Sequence, residues 1–250
     1  MTQQIYEIPS LAVWRAAELK VLRHMQFPEP ILEIGCGSGL FSGLLFDRIE
    51  CGIDLSEREV AACRARTGIY KVVRCMDARS LQFEDKIFST VFANCVIEHI
   101  PGLETVLREA FRVLKPGGKF IATVPLDSIQ EHLVLRTPAY GNWRAARLSH
   151  VNLLSQDGWL RAFRSAGFGR LKVLPYLPAS LCERWDRVDG PICCGIGRYT
   201  LGQVYRYAMR ALPRGVQNRV GGMWRDYFSR PFADDPSANP CAIAIEAFAD

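Results

Sequence analysis

Three acidic residues and a run of alternate glycines are the groups best placed to do chemistry in this sequence. In Ile31-Leu32-Glu33-Ile34-Gly35-Cys36-Gly37-Ser38-Gly39 an apolar run passes into a turn whose glycines carry no side chain, so the backbone can approach a ligand closely. Asp54 closes the next apolar run, in Gly52-Ile53-Asp54-Leu55-Ser56. A carboxylate at the carboxyl edge of a strand can accept hydrogen bonds from both hydroxyls of a ribose. Asp77 follows a third run, in Cys75-Met76-Asp77-Ala78. His99 reads as a packing or capping residue, whereas His150 can serve as a general base if the group to be deprotonated is a hydroxyl. Tyr140, Trp143 and Arg144 supply an aromatic and cationic group suited to the mouth of the same site. A nicotinamide fingerprint needs G-x-G-x-x-G, and Leu40 stands where its third glycine would fall, which argues against a dehydrogenase. Histidines and carboxylates show no clustering at ligand spacing, so no metal is expected.

Such groups must be held by a repeating scaffold. From Pro30 the pattern is strand, turn and helix: Ile31 to Ile34, then a helix from Leu40 to Ile49; Cys51 to Asp54, then Ser56 to Arg66; Tyr70 to Cys75; Ile87 to Asn94, then Leu103 to Leu114; and Lys119 to Val124. This alternation predicts a parallel sheet covered by helices on both faces. Ser56 and Glu59 have capping-box spacing, and Lys115 to Gly118 is expected to turn the chain from helix into strand. Ser10 is predicted to cap an N-terminal helix reaching about Met25, and Ser155 one that Gly167 ends. Arg170 to Leu174 and Cys241 to Phe248 read as the sixth and last strands.

Glu33 to Gly39 resembles motif I of the class I S-adenosylmethionine-dependent methyltransferases, in the widespread small-molecule, type 11-like branch. The stretch Asn94 to Ile100 and the turn Leu114-Lys115-Pro116-Gly117-Gly118 fit that branch as well. The resemblance implies an α/β Rossmann-like fold with seven strands ordered 3-2-1-4-5-7-6, strand 7 antiparallel, and S-adenosyl-L-methionine as cofactor with S-adenosyl-L-homocysteine as product. It also implies that Gly35, Cys36, Gly37 and Gly39 border the methionine portion, that Glu33 is oriented towards its ammonium, and that Asn94, Cys95 and Val96 line the same end. Asp54 and Leu55 fall to ribose and adenine, Asp77 and Ala78 to the adenine edge. Neither the stretch Asn94 to Ile100 nor the turn Leu114 to Gly118 carries N-P-P-Y or a P-C nucleophile, Cys95 lacking the proline, so base amino and cytosine carbon methylation are not indicated; a hydroxyl oxygen is the favoured acceptor atom. The alternatives are a cofactor-binding subunit without catalysis, against which the intact acids speak, and an oxidoreductase, against which the glycine spacing speaks.

At 250 residues, 49% hydrophobic and 23% charged, the chain has globular composition and the default of a single domain. It divides into a helical segment at 1–29, a Rossmann-like core at 30–174, an insertion at 175–240 and a last strand at 241–250. A net charge of +5 falls short of a dedicated nucleic-acid footprint, so no nucleic acid is expected as partner. Nine scattered cysteines fit reduced thiols, and MTQQIYEIPS lacks signal-peptide character; a cytoplasmic location is expected. Leu126 to Val151 and Pro175 to Pro240 do not belong to the repeat and read as ordered insertions. The second, rich in arginine and aromatics, is read as a lid over a small-molecule acceptor, and its composition also permits peripheral docking on a membrane.

Overall fold

The computed structural model describes residues 8–66, 68–196, 198–229 and 239–250. Its strands are β1 (Ile31–Ile34), β2 (Ile49–Asp54), β3 (Tyr70–Cys75), β4 (Phe88–Asn94), β5 (Leu114–Pro125), β6 (Arg170–Pro178), β7 (Gly195–Ile196), β8 (Tyr199–Thr200) and β9 (Pro240–Phe248). Seven of them form one sheet in the order β3-β2-β1-β4-β5-β9-β6, while β7 and β8 make a small antiparallel pair. β1 to β5 run parallel to their neighbours and β9 pairs antiparallel with β5. With β9 as seventh strand of the sheet, this is the order the resemblance implies.

The chain divides into two compact units. One, the sheet unit, comprises Leu19–Asp127, His150–Leu174 and Ala242–Asp250; the other, the helical unit, comprises the described residues up to Glu18, Ser128–Ser149 and those within Pro175–Cys241. In the sheet unit the central strands are buried throughout, all four residues of β1 and six of the seven in β4, as expected of parallel strands covered on both faces. Helix α2 (Glu57–Arg66) follows β2, and α3 (Leu103–Val113) buries Leu103, Val106, Leu107, Ala110 and Val113, a single stripe at helical spacing. Helix α5 (Gln156–Ser165) buries Trp159 and Phe163; Ser155 caps it by accepting from the Gly158 N–H at 3.1 Å, as the sequence predicts.

Three expectations are corrected. The helix from Leu40 to Ile49 is a single 3-10 turn at Ser42–Leu44, and Ile49 already belongs to β2. Two residues of that stretch are recruited elsewhere: Ser42 is buried against Glu33, and Phe46 packs edge-on to Phe27 and Phe92. Ser10 does not cap the first helix; α1 runs Pro9–Leu22 with Ser10 inside it and fully buried, because proline occupies the opening turn. The turn expected at Lys115 to Gly118 is absorbed into β5, where the pairing with β4 shifts register between Phe88 and Thr90 and the Gly117 N–H bonds the Ala249 carbonyl at 2.7 Å.

In the helical unit, α4 (Pro138–Leu148), α6 (Ala179–Cys193), α7 (Leu201–Ala211) and α8 (Arg214–Ser229) carry most of the chain. Its interior is polar as well as apolar. Arg144, 2% exposed, pairs at 2.8 Å with both Asp186 and Asp189, and its guanidinium lies 4.7 Å from the centre of the Trp185 ring. No described helix is long and apolar enough to cross a membrane.

Candidate functional site

The carboxyl ends of the parallel strands open onto a cleft of about 300 Å³ in the sheet unit. Its floor begins where β1 ends. The Gly35 and Cys36 N–H groups both donate to the Ile53 carbonyl, at 2.8 and 2.9 Å, which binds the glycine loop to β2. Gly35, Gly37 and Gly39 all take positive φ, of 70°, 50° and 72°. A Cβ on Gly35 would lie 2.5 Å from a Val96 methyl, whereas one on Gly37 would meet nothing within 4 Å. The loop is therefore packed against protein at its first glycine and faces open space at its second.

Asp54 organises this loop. Oδ2 accepts from the Gly37 N–H and Oδ1 from the Ser56 N–H, each at 2.9 Å, so one carboxylate joins the turn after β1 to the turn after β2. Glu33 works from beneath: it is 2% exposed and accepts from the Ser42 hydroxyl at 2.5 Å and the Tyr70 hydroxyl at 2.6 Å. Burial, with the Glu33 charge beside it, pushes the Tyr70 phenol well above its ordinary range, so it stays a donor. Burial likewise raises the Cys36 thiol, which rules it out as a thiolate nucleophile at neutral pH.

The far wall comes from β3, β4 and the turns after them. Asp77 is held by Arg79, whose guanidinium donates to both carboxylate oxygens at 2.7 to 3.1 Å and whose N–H donates at 2.9 Å; these bonds keep its carboxyl below the usual range. Cys95 follows β4 with φ of 49°, an uncommon conformation for a residue with a side chain, held by the Thr123 carbonyl and hydroxyl, which accept from its N–H at 3.1 and 3.0 Å. Asn94 accepts from the same hydroxyl at 2.8 Å.

Of the residues read from the sequence, Gly35, Asp54, Leu55, Asp77, Ala78, Cys95 and Val96 line the cleft together. Glu33, Cys36, Gly37, Gly39 and Asn94 are not among its lining. Tyr140, Trp143 and Arg144 do come together, Tyr140 stacking on Trp143 at 5.5 Å, but in the helical unit. There the Tyr140 hydroxyl donates to Asp186 at 3.1 Å, and burial beside that carboxylate raises its pKa to about 12. Sequence reasoning missed Met76, Arg79, His99 and Ile100 as lining residues. The basic residue two places after Asp77 was the available signal for Arg79.

The expectation about metal ligands rested on spacing along the chain, and the structure adds a cluster in space. Glu98, His99 and His150 each bring one donor atom within 4.8 Å of the others. Distance along the chain had hidden the cluster.

The acids at strand ends, the apolar walls and the open face of the glycine loop fit a nucleoside cofactor carrying cationic groups. Residues 32–122 match the family described as a methyltransferase domain. The chain is 37% identical over 100 residues to a sterol 4-C-methyltransferase of Caenorhabditis elegans, covering 36% of this chain and 29% of that one. It is 30% identical over 178 residues to the 27-O-demethylrifamycin SV methyltransferase of Amycolatopsis mediterranei, covering 64% and 62%. It thus spans less than two thirds of the length of these curated relatives. A crystal structure of a Thermotoga maritima methyltransferase, a possible histamine N-methyltransferase, superposes over 100% of both chains with a TM-score of 0.63 at 17% identity. With the strand order and the loop of alternate glycines, these matches support a methyltransferase domain of the class I, S-adenosylmethionine-dependent kind in this chain.

Proposed function

We propose that the protein transfers a methyl group to a small-molecule acceptor, with a hydroxyl oxygen as the favoured nucleophile. The observation that carries this reading is the convergence of Gly35, Asp54 and Asp77 on one cleft with a histidine, His99, in its wall. S-adenosylmethionine supplies a methyl group activated on a sulfonium. The chain binds and orients: Asp54 is assigned to the ribose hydroxyls, Leu55 and Ala78 to the faces and edge of adenine, and Asp77, with Arg79, to its amino group. Cys95 and Val96 are assigned to the methionine end, and Glu33 supports that end through the loop it anchors. Alignment and exclusion of water are the main demands of an in-line displacement. His150, whose ring centre lies 5.1 Å from that of His99, is assigned to deprotonation of the acceptor. Tyr140, Trp143 and Arg144, with the segment 175–240, are assigned to acceptor choice, since relatives on this scaffold include sterol C- and rifamycin O-methyltransferases.

Calorimetry tests the cofactor class. S-adenosylmethionine and S-adenosylhomocysteine are expected to bind in the micromolar range and NAD to give no heat; heat from NAD alone overturns the proposal. Asp54→Ala removes an anchor of the glycine loop together with the ribose acceptors. It is expected to weaken S-adenosylhomocysteine by about 1.5 to 3 kcal/mol, as loss of charge-assisted bonds does. An unchanged dissociation constant in the folded variant removes Asp54 from the site.

A further inference from the structure

The turn after β4 is built to hold two histidines and a carboxylate together. Ile97–His99 forms a 3-10 turn, and the segment bearing His150 is fastened across it by four hydrogen bonds. The Val151 and Asn152 N–H groups both donate to the Glu98 carbonyl at 2.9 Å, and the Asn152 side-chain amide donates to the carbonyls of Ile97 at 2.9 Å and Ile100 at 2.7 Å. The consequence is a fixed juxtaposition: Nε2 of His99 lies 3.7 Å from a Glu98 carboxylate oxygen, and the two imidazole rings are 5.1 Å apart. Glu98 is 1% exposed, and a carboxylate so deeply buried is favoured by positive charge at its side.

We propose that Glu98, His99 and His150 bind one divalent transition-metal ion of the zinc type in the wall of the cleft. Two imidazoles and a carboxylate are a donor set that suits such an ion, with bonds of about 2.0 to 2.2 Å. Donor atoms around one ion at that length stand roughly 3 to 4 Å apart. A cluster already within 4.8 Å therefore closes on the ion by small side-chain rotations. The backbone clamp does the work of bringing distant residues into register, and the ion adds the charge that a buried Glu98 favours.

Three protein ligands leave a coordination position for a water or another oxygen. His99 also lines the cleft, so that position is available to a hydroxyl-bearing small molecule. A hydroxyl bound there ionises more readily: its O–H bond breaks, the proton passes to solvent and the electron pair remains on oxygen. With the ion bound, His150 is a ligand and solvent accepts the proton, which replaces the direct deprotonation assigned to His150 in the ion-free protein. That service to an acceptor rests on the methyl-transfer reading, whereas the ion site does not.

The test uses the full chain, stripped with a chelator and kept reduced, titrated with Co²⁺ and then Zn²⁺ while visible absorption is recorded, with S-adenosylhomocysteine affinity measured separately by calorimetry. The expected result is one equivalent of Co²⁺ with ligand-field bands and no strong thiolate charge-transfer band, displaced by Zn²⁺. His99→Ala and His150→Ala, each verified as folded by circular dichroism, are each expected to weaken Co²⁺ at least tenfold. Glu98→Gln is the third variant, and the histidine variants decide the matter should it fail to fold. Absence of stoichiometric uptake, uptake unchanged in both histidine variants, or a thiolate spectrum overturns the proposal. Co²⁺ uptake that depends on both histidines in a chain that ignores S-adenosylhomocysteine supports the ion site while removing the methyl-transfer reading.

Discussion

Gly35→Ala is expected to reduce S-adenosylhomocysteine affinity on the order of a hundredfold, about 2.8 kcal/mol at 1.4 per tenfold. Two costs act at once. A residue with a Cβ held at φ of 70° gives up about 1 to 2 kcal/mol, and the new carbon would stand 2.5 Å from a Val96 methyl, a conflict typically worth about 1 to 3 kcal/mol. Val96 cannot yield by rotating alone, because both of its methyl carbons lie within 2.6 Å of the added atom. Either the loop lifts or the valine moves, and each displaces a wall of the cleft. Gly37→Ala is the informative contrast. Its Cβ would enter open space, so the free protein should lose only about 1 to 2 kcal/mol from φ, while ligand affinity still falls if the cofactor approaches that backbone. Calorimetry and urea unfolding on both variants separate the effects. The account fails if Gly35→Ala binds like the parent. Gly35→Ala combined with Val96→Ala should recover the steric part and leave the backbone part.

Lys119→Met is expected to destabilise the protein by about 3 to 5 kcal/mol, the usual consequence of leaving one partner of a buried ion pair behind. Lys119 on β5 meets Glu246 on β9 at 2.5 Å, and both side chains are only 9% exposed. Among the described residues the other cation paired with Glu246 is Lys172, 4.0 Å away and 63% exposed, too solvated to replace a direct bond. Replacing both members, as Lys119→Met with Glu246→Leu, should cost much less than the single change, because no charge is then stranded. Urea denaturation of the single and double variants measures this, and equal losses would show that the pair is not coupled.

The parts of the fold that were legible in the sequence were those whose residue pattern has one physical solution. Ile31 to Ile34 and Ile87 to Asn94 are predominantly apolar stretches too short for helices, and such stretches become parallel strands buried on both faces. The acids at Asp54 and Asp77 follow strands, so their place at the carboxyl edge came with the fold. Local signals misled where tertiary packing took over. Leu40, Leu44 and Leu45 have helical spacing, yet Glu33 recruits Ser42 while Phe27 and Phe92 recruit Phe46, and a single turn results. Gly117 and Gly118 read as a turn and became an irregular strand. Within the site, Arg79 left only the weak signal of a basic residue two places after Asp77, because its role depends on a side-chain conformation, and the pairing of His99 with His150 was illegible because it depends on a backbone clamp formed by Asn152.

The position of β9 between β5 and β6 bears on how the sheet can assemble. β6 is synthesised before β9, yet among the described strands it is joined to the sheet through β9, so β6 must wait while α6, α7, α8 and the β7–β8 pair are made. During that interval the open edge of β5 is exposed to wrong partners, since unpaired strand edges invite pairing with other chains. Closure also joins segments far apart along the chain, which slows folding through the entropy of loop closure. On the ribosome, the parallel strands β1 to β5 can form first, and β9 then enters as the wedge that completes the sheet.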